Sequence, residues 1–319
     1  MTVKTATLTL FAVILGTSSA AGGEPLPAWA YPWAPEIKLP VDDGIARRVL
    51  DSSAIYSLTQ INGLFAAVVR HPADHPAPPE VVAVGRKPDL RACASCHRAD
   101  GAGGSENASL AGLPAAYLVQ QLLDYKSGAR KFSGPQRGPS VLMVAAAKAM
   151  TDDEIRVATD YFSSLKLKPS YAVIEAATVP KTYVNRVVTL RSPGDATEVM
   201  GQRIVEIPVD SDQFEHRDPR AKFIAYVPPS SIAKGEALVK TGGAGTTVAC
   251  TTCHGADLKG VGPIPGIAGR SPSYTVRQLY DIQQGTRAGA MSILMKPIVE
   301  KLTNADMNAI AAYLASQQP

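Results

Sequence analysis

The sequence predicts a mainly α-helical protein with two similar helical domains in tandem, joined by a small segment that contains β-strands. Motifs of the first half of the 319-residue chain recur in the second half. Several segments carry apolar residues at helical spacing, and the stretch between the copies is rich in Val and Ile. The predicted boundaries are 1–20 for a signal peptide, 21–78 for an extended arm with one helix, 79–168 for the first domain, 169–229 for a linker with short strands and 230–319 for the second domain.

The first residues have the features of an export signal. Lys4 provides a positive start, Leu8 to Leu15 is an apolar run, and small residues near Ala20 suit cleavage. The apolar run is too short to span a bilayer comfortably. We therefore expect a cleaved signal peptide, with an uncleaved membrane anchor as the alternative.

The arm that follows is predicted to be largely extended. Residues 24–40 are rich in Pro and aromatic residues without a period, which is typical of a segment on the protein surface. Apolar residues spaced from Ile55 to Val68 predict one amphipathic helix, which the prolines after His71 and His75 end. We interpret these two histidines as surface turn residues rather than metal ligands.

The two predicted domains are an internal repeat with a fixed offset. Adding 157 to a residue number in the first copy gives its counterpart in the second: Cys93 and Cys250, Tyr117 and Tyr274, Gln121 and Gln278, Gly128 and Gly285, Arg130 and Arg287. The offset then becomes 152, which pairs Met143 with Met295, Met150 with Leu302, Thr151 with Thr303 and Tyr161 with Tyr313. The first copy therefore has a longer loop before Met143.

Each copy is predicted to contain three helices. A short helix precedes the cysteines, a middle helix ends at a glycine C-cap, and a last helix begins behind a threonine N-cap. The predicted ranges of the first two helices are Pro79–Arg86 and Tyr117–Tyr125 in the first copy, and Ser231–Lys240 and Tyr274–Gln283 in the second. Between the copies, Tyr183–Leu190, Gln202–Val209 and Lys222–Val227 predict two or three strands packed on one or both domains.

The motif Cys93-Ala94-Ser95-Cys96-His97 and its copy Cys250-Thr251-Thr252-Cys253-His254 use all four cysteines of the chain. Two thiols three positions apart can each add to one vinyl group of a haem, and the adjacent histidine can then bind the iron. A zinc site, two disulfides or a thioredoxin-like pair are the alternatives. The motifs predict two covalently bound haem c groups, attached through these cysteines, with His97 and His254 as iron ligands.

The second axial ligand decides what such a haem can do. Two of the seven methionines, Met143 and Met295, coincide under the repeat and are predicted to lie in the loop before the last helix, from which a thioether could reach the iron. Met150 takes the core position of Leu302 instead. With both positions filled, substrates cannot reach the iron, so we predict electron transfer and no catalytic residues.

Other residues are expected near the haems. A backbone carbonyl in the loop with Pro263 and Pro265 is expected to fix the tautomer of His254, and the first copy has Glu106 and Ala108 at those positions, so unequal potentials are expected. Arg130 and Arg287 could pair with propionates or lie on the surface. Tyr117 and Tyr274 could contact the haem or belong to the core.

These motifs make the chain resemble the dihaem cytochromes c of the cytochrome c4 group. The resemblance rests on Cys-x-x-Cys-His, Leu/Ile-Ala-Gly, Tyr-x-x-x-Gln, Gly-x-Arg and the methionine, and it covers 79–167 and 230–317. It implies two helical lobes with haems close enough for fast transfer, a periplasmic location and an electron-shuttle role. The arm, the strand-containing linker and Glu106 depart from the simple pattern.

The expected function is therefore electron transfer between a dehydrogenase or quinol-oxidising complex and a terminal acceptor such as an oxidase. Redox proteins are the expected partners, including membrane-bound respiratory complexes. The formal net charge is only +4 without a Lys/Arg run, so nucleic acid is not expected. The alternatives are a haem subunit of a larger dehydrogenase, or a dihaem enzyme of the peroxidase or thiosulfate dehydrogenase type.

Overall fold

The computed structural model describes residues 24–319, so the predicted signal peptide lies outside the described residues. The arm begins with a 3-10 turn at Ala28–Ala30, has a single α-helical turn, α1 (Leu58–Ile61), and a second 3-10 turn at Pro72–Asp74. The prediction of one long helix from Ile55 to Val68 is thus wrong. Asn62-Gly63 favours a turn directly after α1, and the chain does not resume the helix.

The start of the arm, residues 24–34, is more buried than a surface segment would be, whereas residues 35–40 are exposed as expected. Ala30, Tyr31 and Ala34 are buried, and the first two belong to the core of the second domain. The Tyr31 hydroxyl donates a hydrogen bond to Asp281 Oδ1 at 3.0 Å. An aromatic ring whose hydroxyl has a buried acceptor holds the arm in place, and this contact joins residues far apart in sequence.

The first domain is helical around one core. Thr151 caps its last helix in a capping box with Glu154, as predicted. The first helix is shorter than the predicted range 79–86, because the chain turns into a two-stranded hairpin. The elements are α2 (Glu80–Ala83), β1 (Gly85–Arg86), β2 (Leu90–Arg91), α3 (Ala94–His97), α4 (Ala115–Ser127), α5 (Gly138–Ala149) and α6 (Asp152–Ser164).

The linker is an insert with more strands than predicted. Its central sheet has the order β3-β9-β8, with β3 parallel to β9 and β8 antiparallel to it. The predicted strand 183–190 is a hairpin instead, which turns at Arg186 with φ +56° and carries no glycine signal. The elements are β3 (Tyr171–Glu175), β4 (Thr178–Pro180), β5 (Thr182–Asn185), β6 (Val188–Arg191), β7 (Thr197–Val199), β8 (Val205–Pro208), α7 (Ser211–Glu215) and β9 (Phe223–Val227).

The second domain repeats the first. Thr303 caps its last helix in a capping box with Asp306, and the predicted apolar face of that helix is buried, as is that of α6. The elements are α8 (Ser231–Thr241), α9 (Thr251–His254), β10 (Gly260–Val261), β11 (Ile264–Pro265), α10 (Pro272–Gln283), a 3-10 turn (Ser292–Met295), α11 (Lys296–Val299) and α12 (Asn304–Ser316). Within 24–319, no helix is long and apolar enough to cross a bilayer.

The insert packs on both domains. Ile204, Ala225 and Val227 belong to the core cluster of the second domain. Glu206 of β8 accepts hydrogen bonds from the hydroxyls of Ser271 (2.9 Å) and Ser273 (2.5 Å) at the start of α10. Because these contacts are buried, the insert is part of the folded unit and not a flexible tether.

Candidate haem-attachment sites

Both attachment motifs form the same local structure. Each is a single helical turn, α3 or α9, that ends at the histidine. The His97 Nδ1 lies 2.8 Å from the Ala108 carbonyl oxygen, and the His254 Nδ1 lies 2.8 Å from that of Pro265. A carbonyl oxygen only accepts, so Nδ1 carries the proton and the Nε2 lone pair is available for iron. The expected tautomer-fixing carbonyl is present in both domains.

Burial acts on the two histidines in the same direction. It lowers the pKa of His97 and also the pKa of His254, because the charged imidazolium loses hydration. Each bond to a carbonyl opposes this shift. The neutral imidazole is therefore favoured, and this is the form that ligates a metal.

The cysteines do not fit the alternative sites. All four thiols are free. Burial raises the pKa of Cys93 to about 12 and that of Cys250 to about 11, whereas a reactive redox pair needs a lowered value. No cluster of three or more His, Cys, Asp or Glu side chains that could hold a metal ion occurs between residues 24 and 319, so the two motifs do not meet in a zinc site.

The two methionines occupy different local structures. Met143 lies inside helix α5, whereas Met295 ends a 3-10 turn directly before α11. The prediction of a loop at Met143 is thus wrong. Ala145 allows the first helix to continue, but its counterpart Pro297 has no N–H to donate, so the second domain breaks the helix and restarts it at Lys296. Met150 is buried in the core, as predicted.

Residues of the repeat that were expected near the haems form the contact between the domains. Arg130 Nη2 donates to Tyr274 Oη (3.0 Å) and Gln278 Oε1 (2.8 Å), while its Nη1 donates to Gln121 Oε1 (2.9 Å). The symmetric set joins Arg287 to Tyr117 (3.0 Å), Gln121 (2.9 Å) and Gln278 (3.0 Å). Both arginines are buried, so the alternative of a solvated surface role does not hold.

The residues of this interface would suit an anionic group bound beside them. The side chains of Arg130 and Arg287 donate to neutral oxygens, and the Nε of Arg287 is buried without a partner in the described structure. Burial would raise the pKa of Tyr117, but the charges of Arg287 and Arg130 hold it below its usual value. Two buried positive charges without a bonded carboxylate suit the propionates of haem c.

Two further arginines of the second domain contact the loop that fixes His97. Arg277 Nη2 donates to the Ser105 carbonyl at 2.7 Å, and Arg270 Nη1 donates to that of Ser109 at 2.9 Å. Sequence reasoning missed both, because neither has an arginine counterpart in the first copy. Helix α10, through Arg277, and Arg270 just before it therefore support the ligand loop of the neighbouring domain.

His71 is also placed differently from its prediction. It is buried, and its Nε2 lies 3.1 Å from Asp218 Oδ1 of the insert. The interpretation as a surface residue is wrong for His71. The pair joins the arm to the insert, and a sequence pattern could not reveal two partners 147 positions apart.

Comparison with known proteins agrees with this geometry. The sequence profile described as Cytochrome c matches residues 86–166 and 232–318, which together make up just over half of the chain. The chain belongs to the cytochrome c family. Two cytochrome c domains imply that it binds two haem c groups and carries electrons.

Several cytochromes are similar to the chain over most of its length. A "Thiosulfate dehydrogenase electron acceptor" of Thiomonas intermedia is 27% identical and covers 72% of this chain and 80% of its own. Cytochrome c4 of Stutzerimonas stutzeri is 25% identical over 70% of this chain and 82% of its own. The structure of reduced cytochrome c4 from Pseudomonas stutzeri aligns with a TM-score of 0.47 at 23% identity, over 71% of this chain and 93% of that one. The family match and the sequence relatives confirm the resemblance to the cytochrome c4 group.

Proposed function

We propose that this dihaem cytochrome c is a periplasmic carrier that transfers electrons between a dehydrogenase or quinol-oxidising complex and a terminal acceptor such as an oxidase. In this proposal His97 and Met143 ligate the iron of the first domain, and His254 and Met295 that of the second. Thioethers at Cys93, Cys96, Cys250 and Cys253 hold the haems.

One observation carries the proposal: both domains hold the histidine in the same way. The Nδ1-to-carbonyl distance is 2.8 Å in both, and the acceptor lies 11 residues after the histidine each time. Together with a methionine at the matched position, this arrangement gives each iron two strong protein ligands. When bound, haem c supplies a one-electron Fe(II)/Fe(III) couple.

The protein groups favour a carrier because they orient the ligands and join the two domains. The imidazoles are oriented by fixed carbonyls, and the domains are locked together by Arg130 and Arg287. A fixed ligand set changes little between oxidation states, so electron transfer needs little reorganisation. Catalysis at iron would require an open coordination position instead.

A dehydrogenase is the electron donor that the comparisons favour. The relative from Thiomonas intermedia is an electron acceptor of a thiosulfate dehydrogenase, and we infer a donor of the same class here. This chain has no cysteine beyond its attachment motifs to serve as a distal ligand of a thiosulfate-oxidising site. The start of the arm and part of the insert pack on the chain's own domains, whereas residues 35–46 of the arm are almost all exposed.

The ligand assignment is tested by Met143→Ala and Met295→Ala. We expect each variant to lose about half of the weak near-infrared band of methionine-ligated ferric haem, and its potential at that haem to fall by on the order of 0.1 V or more. Met150→Leu is the matched control, because the other copy has Leu302 at that position. An unchanged band in either alanine variant would remove that methionine from the ligand set.

The carrier role is tested by stopped-flow mixing of the reduced wild-type protein with hydrogen peroxide. We expect slow oxidation without turnover, because both axial positions are filled. Rapid peroxide turnover would contradict the carrier role. The periplasmic location is tested by mass spectrometry of the protein from its native host, where an intact Met1 would argue against export and cleavage.

A further inference from the structure

The two haem-attachment segments match in sequence position but differ in exposure. Residues 94–106 of the first domain correspond to 251–263 of the second. In six matched pairs the first member is buried and the second is exposed: Ser95 and Thr252, Ala99 and Ala256, Asp100 and Asp257, Gly104 and Val261, Ser105 and Gly262, Glu106 and Pro263. Because both segments form the same local structure, the difference in exposure comes from what covers each of them.

The arm and the insert cover the segment of the first domain. The Ala92 amide donates to the Leu64 carbonyl of the arm at 2.9 Å, and Arg98 Nη2 donates to the Phe214 carbonyl of the insert at 3.3 Å. A small cavity beside Ser95 and Arg98 is also lined by Val68 and Arg70 of the arm and by Arg217 and Pro219 of the insert. The chain itself therefore occupies this face.

The matching face of the second domain is open and carries little charge. Val261 is 57% exposed and Val248, two residues before Cys250, is 48% exposed. Within 251–263 the charged residues are one Asp257 and one Lys259, so their charges cancel. The Lys259 amide also donates to Asp257 Oδ1 at 3.1 Å. We call residues 248 and 251–263 the open face.

The chemistry of attachment places the open face at a haem edge. Each thioether joins a cysteine sulfur to a vinyl group, so the cysteines mark the vinyl-bearing edge of the ring. Cys253 is exposed whereas Cys96 is partly buried. Electron transfer needs a short distance between cofactor edges, and only the second domain offers its attachment edge to a partner.

We infer that the open face of the second domain is where a redox partner docks, and that the partner is a redox protein with an uncharged, apolar surface over its own cofactor. The first haem then exchanges electrons with partners through the second. This inference rests on the proposed electron-carrier function. The charge balance of the face argues for the apolar partner, because a charged partner surface would find no complementary charge there.

The test compares Val261→Arg and Val261→Glu with Val199→Arg. Val199 is a matched control, since it is an exposed valine (75%) in β7 of the insert, outside the open face. The probe is a blue-copper protein with an uncharged apolar face over its copper site. Stopped-flow spectroscopy gives the second-order rate constant from reduced holoprotein at low and high salt, and potentiometry checks that the haem potentials stay constant.

We expect both Val261 variants to slow the reaction at least about tenfold and Val199→Arg to change it by less than about twofold. We also expect the wild-type rate constant to depend weakly on salt. Unchanged rates in the Val261 variants would overturn the inference. So would a faster rate in one of them and a slower rate in the other, because charge and not apolar contact would then govern docking.

Two further outcomes distinguish the inference from the proposed function. A wild-type dimer in sedimentation that Val261→Arg converts to a monomer would assign the open face to a second copy of the chain and overturn the inference. A wild-type protein with both haems that exchanges electrons with no probe would contradict the carrier function itself. Fast exchange with unaffected Val261 variants would leave that function intact.

Discussion

The two domains share their ligand frames but differ in their surroundings. In both, the histidine Nδ1 lies 2.8 Å from a carbonyl oxygen, and a capping box begins the last helix. The first domain, however, has its attachment segment under the arm and the insert, whereas that of the second is exposed. Duplication thus preserved the histidine geometry and the capped last helix, while the arm and the insert made the surroundings of the two copies unequal.

The largest expected effect concerns the contact that the domains share. Arg130→Met should destabilise the protein by about 3 kcal/mol, because Gln121 and Tyr274 lose a buried donor. Arg287→Met should cost about the same, since its contacts are symmetric. Urea denaturation of the holoprotein measures both. The exposed Arg156→Met is the control and should change stability by less than about 0.5 kcal/mol.

A difference of more than about 2 kcal/mol between the Arg130 and Arg287 variants would show that the interface is not equivalent from the two sides. The two domains would then differ in the residues of the repeat itself and not only in their surroundings.

The next effect concerns the cover over the first domain. Arg98 has φ +66°, a backbone region that favours glycine, and its counterpart is Gly255 at φ +87°. Arg98→Gly should relieve about 1 kcal/mol of backbone strain but lose the contacts to Phe214, for a net loss of about 1 kcal/mol. Hydrogen exchange in residues 94–106 should become faster, as measured by mass spectrometry.

Gly255→Arg is the reciprocal control. It should cost about 1 kcal/mol, because a side chain is strained at this φ, and it should leave exchange in 94–106 unchanged. If Arg98→Gly leaves that exchange at the wild-type rate, Arg98 does not hold the insert over the first domain.

Removing either helix N-cap should lower stability less than the changes above, and by the same amount in both domains. Thr151→Ala and Thr303→Ala should each lower stability by about 1 kcal/mol, because each hydroxyl oxygen accepts from an N3 amide. Thermal denaturation of the two variants and of the exposed control Thr252→Ala measures this. If only one of the two variants were destabilised, the last helix of the other domain would depend more on packing by the insert or arm than on its cap.

The smallest expected effect is pH-dependent and lies where the insert meets the second domain. Burial raises the pKa of Glu206, although Ser273, Ser271 and the charge of Arg277 oppose this. The folded protein therefore keeps the proton of Glu206 to higher pH than the unfolded chain does. Wild-type stability falls as the pH rises from the pKa of Glu206 in the unfolded chain through its pKa in the folded protein.

Glu206→Gln keeps an oxygen acceptor for both serines but cannot ionise. Its stability relative to wild type should therefore rise with pH and level off above the folded pKa of Glu206. Denaturation at several pH values between about 4 and 8 would show this trend. A difference that is constant with pH would mean that Glu206 keeps one protonation state throughout.

Residue patterns were sufficient for the local features of the haem domains. The repeat located both attachment motifs, the carbonyl that orients His254 and its counterpart at Ala108, and the threonine caps. The apolar spacing of Ile155, Tyr161 and Phe162 predicted a buried face correctly. These features depend on residues within about a dozen positions of each other or on fixed covalent chemistry, so they are encoded in short stretches of sequence.

Other features failed at the sequence level for identifiable reasons. The helix predicted at 55–68 is one turn, because Asn62-Gly63 outweighs the apolar spacing. The hairpin at Arg186 was missed, because a non-glycine residue takes positive φ there. Met143 lies in a helix that Pro297, the counterpart of Ala145, interrupts in the second domain, so a duplicated sequence did not guarantee duplicated local structure.

Short stretches of sequence are enough to predict where two haems attach and which histidines bind the iron, because that chemistry is carried by five consecutive residues. The contacts of Arg130 and Arg287 between the domains and the pairing of His71 with Asp218 became visible only in the folded structure. It alone decided that the first attachment segment is covered and the second exposed. These properties depend mostly on contacts between residues that are far apart in the chain, and no local pattern specifies which distant surfaces will meet.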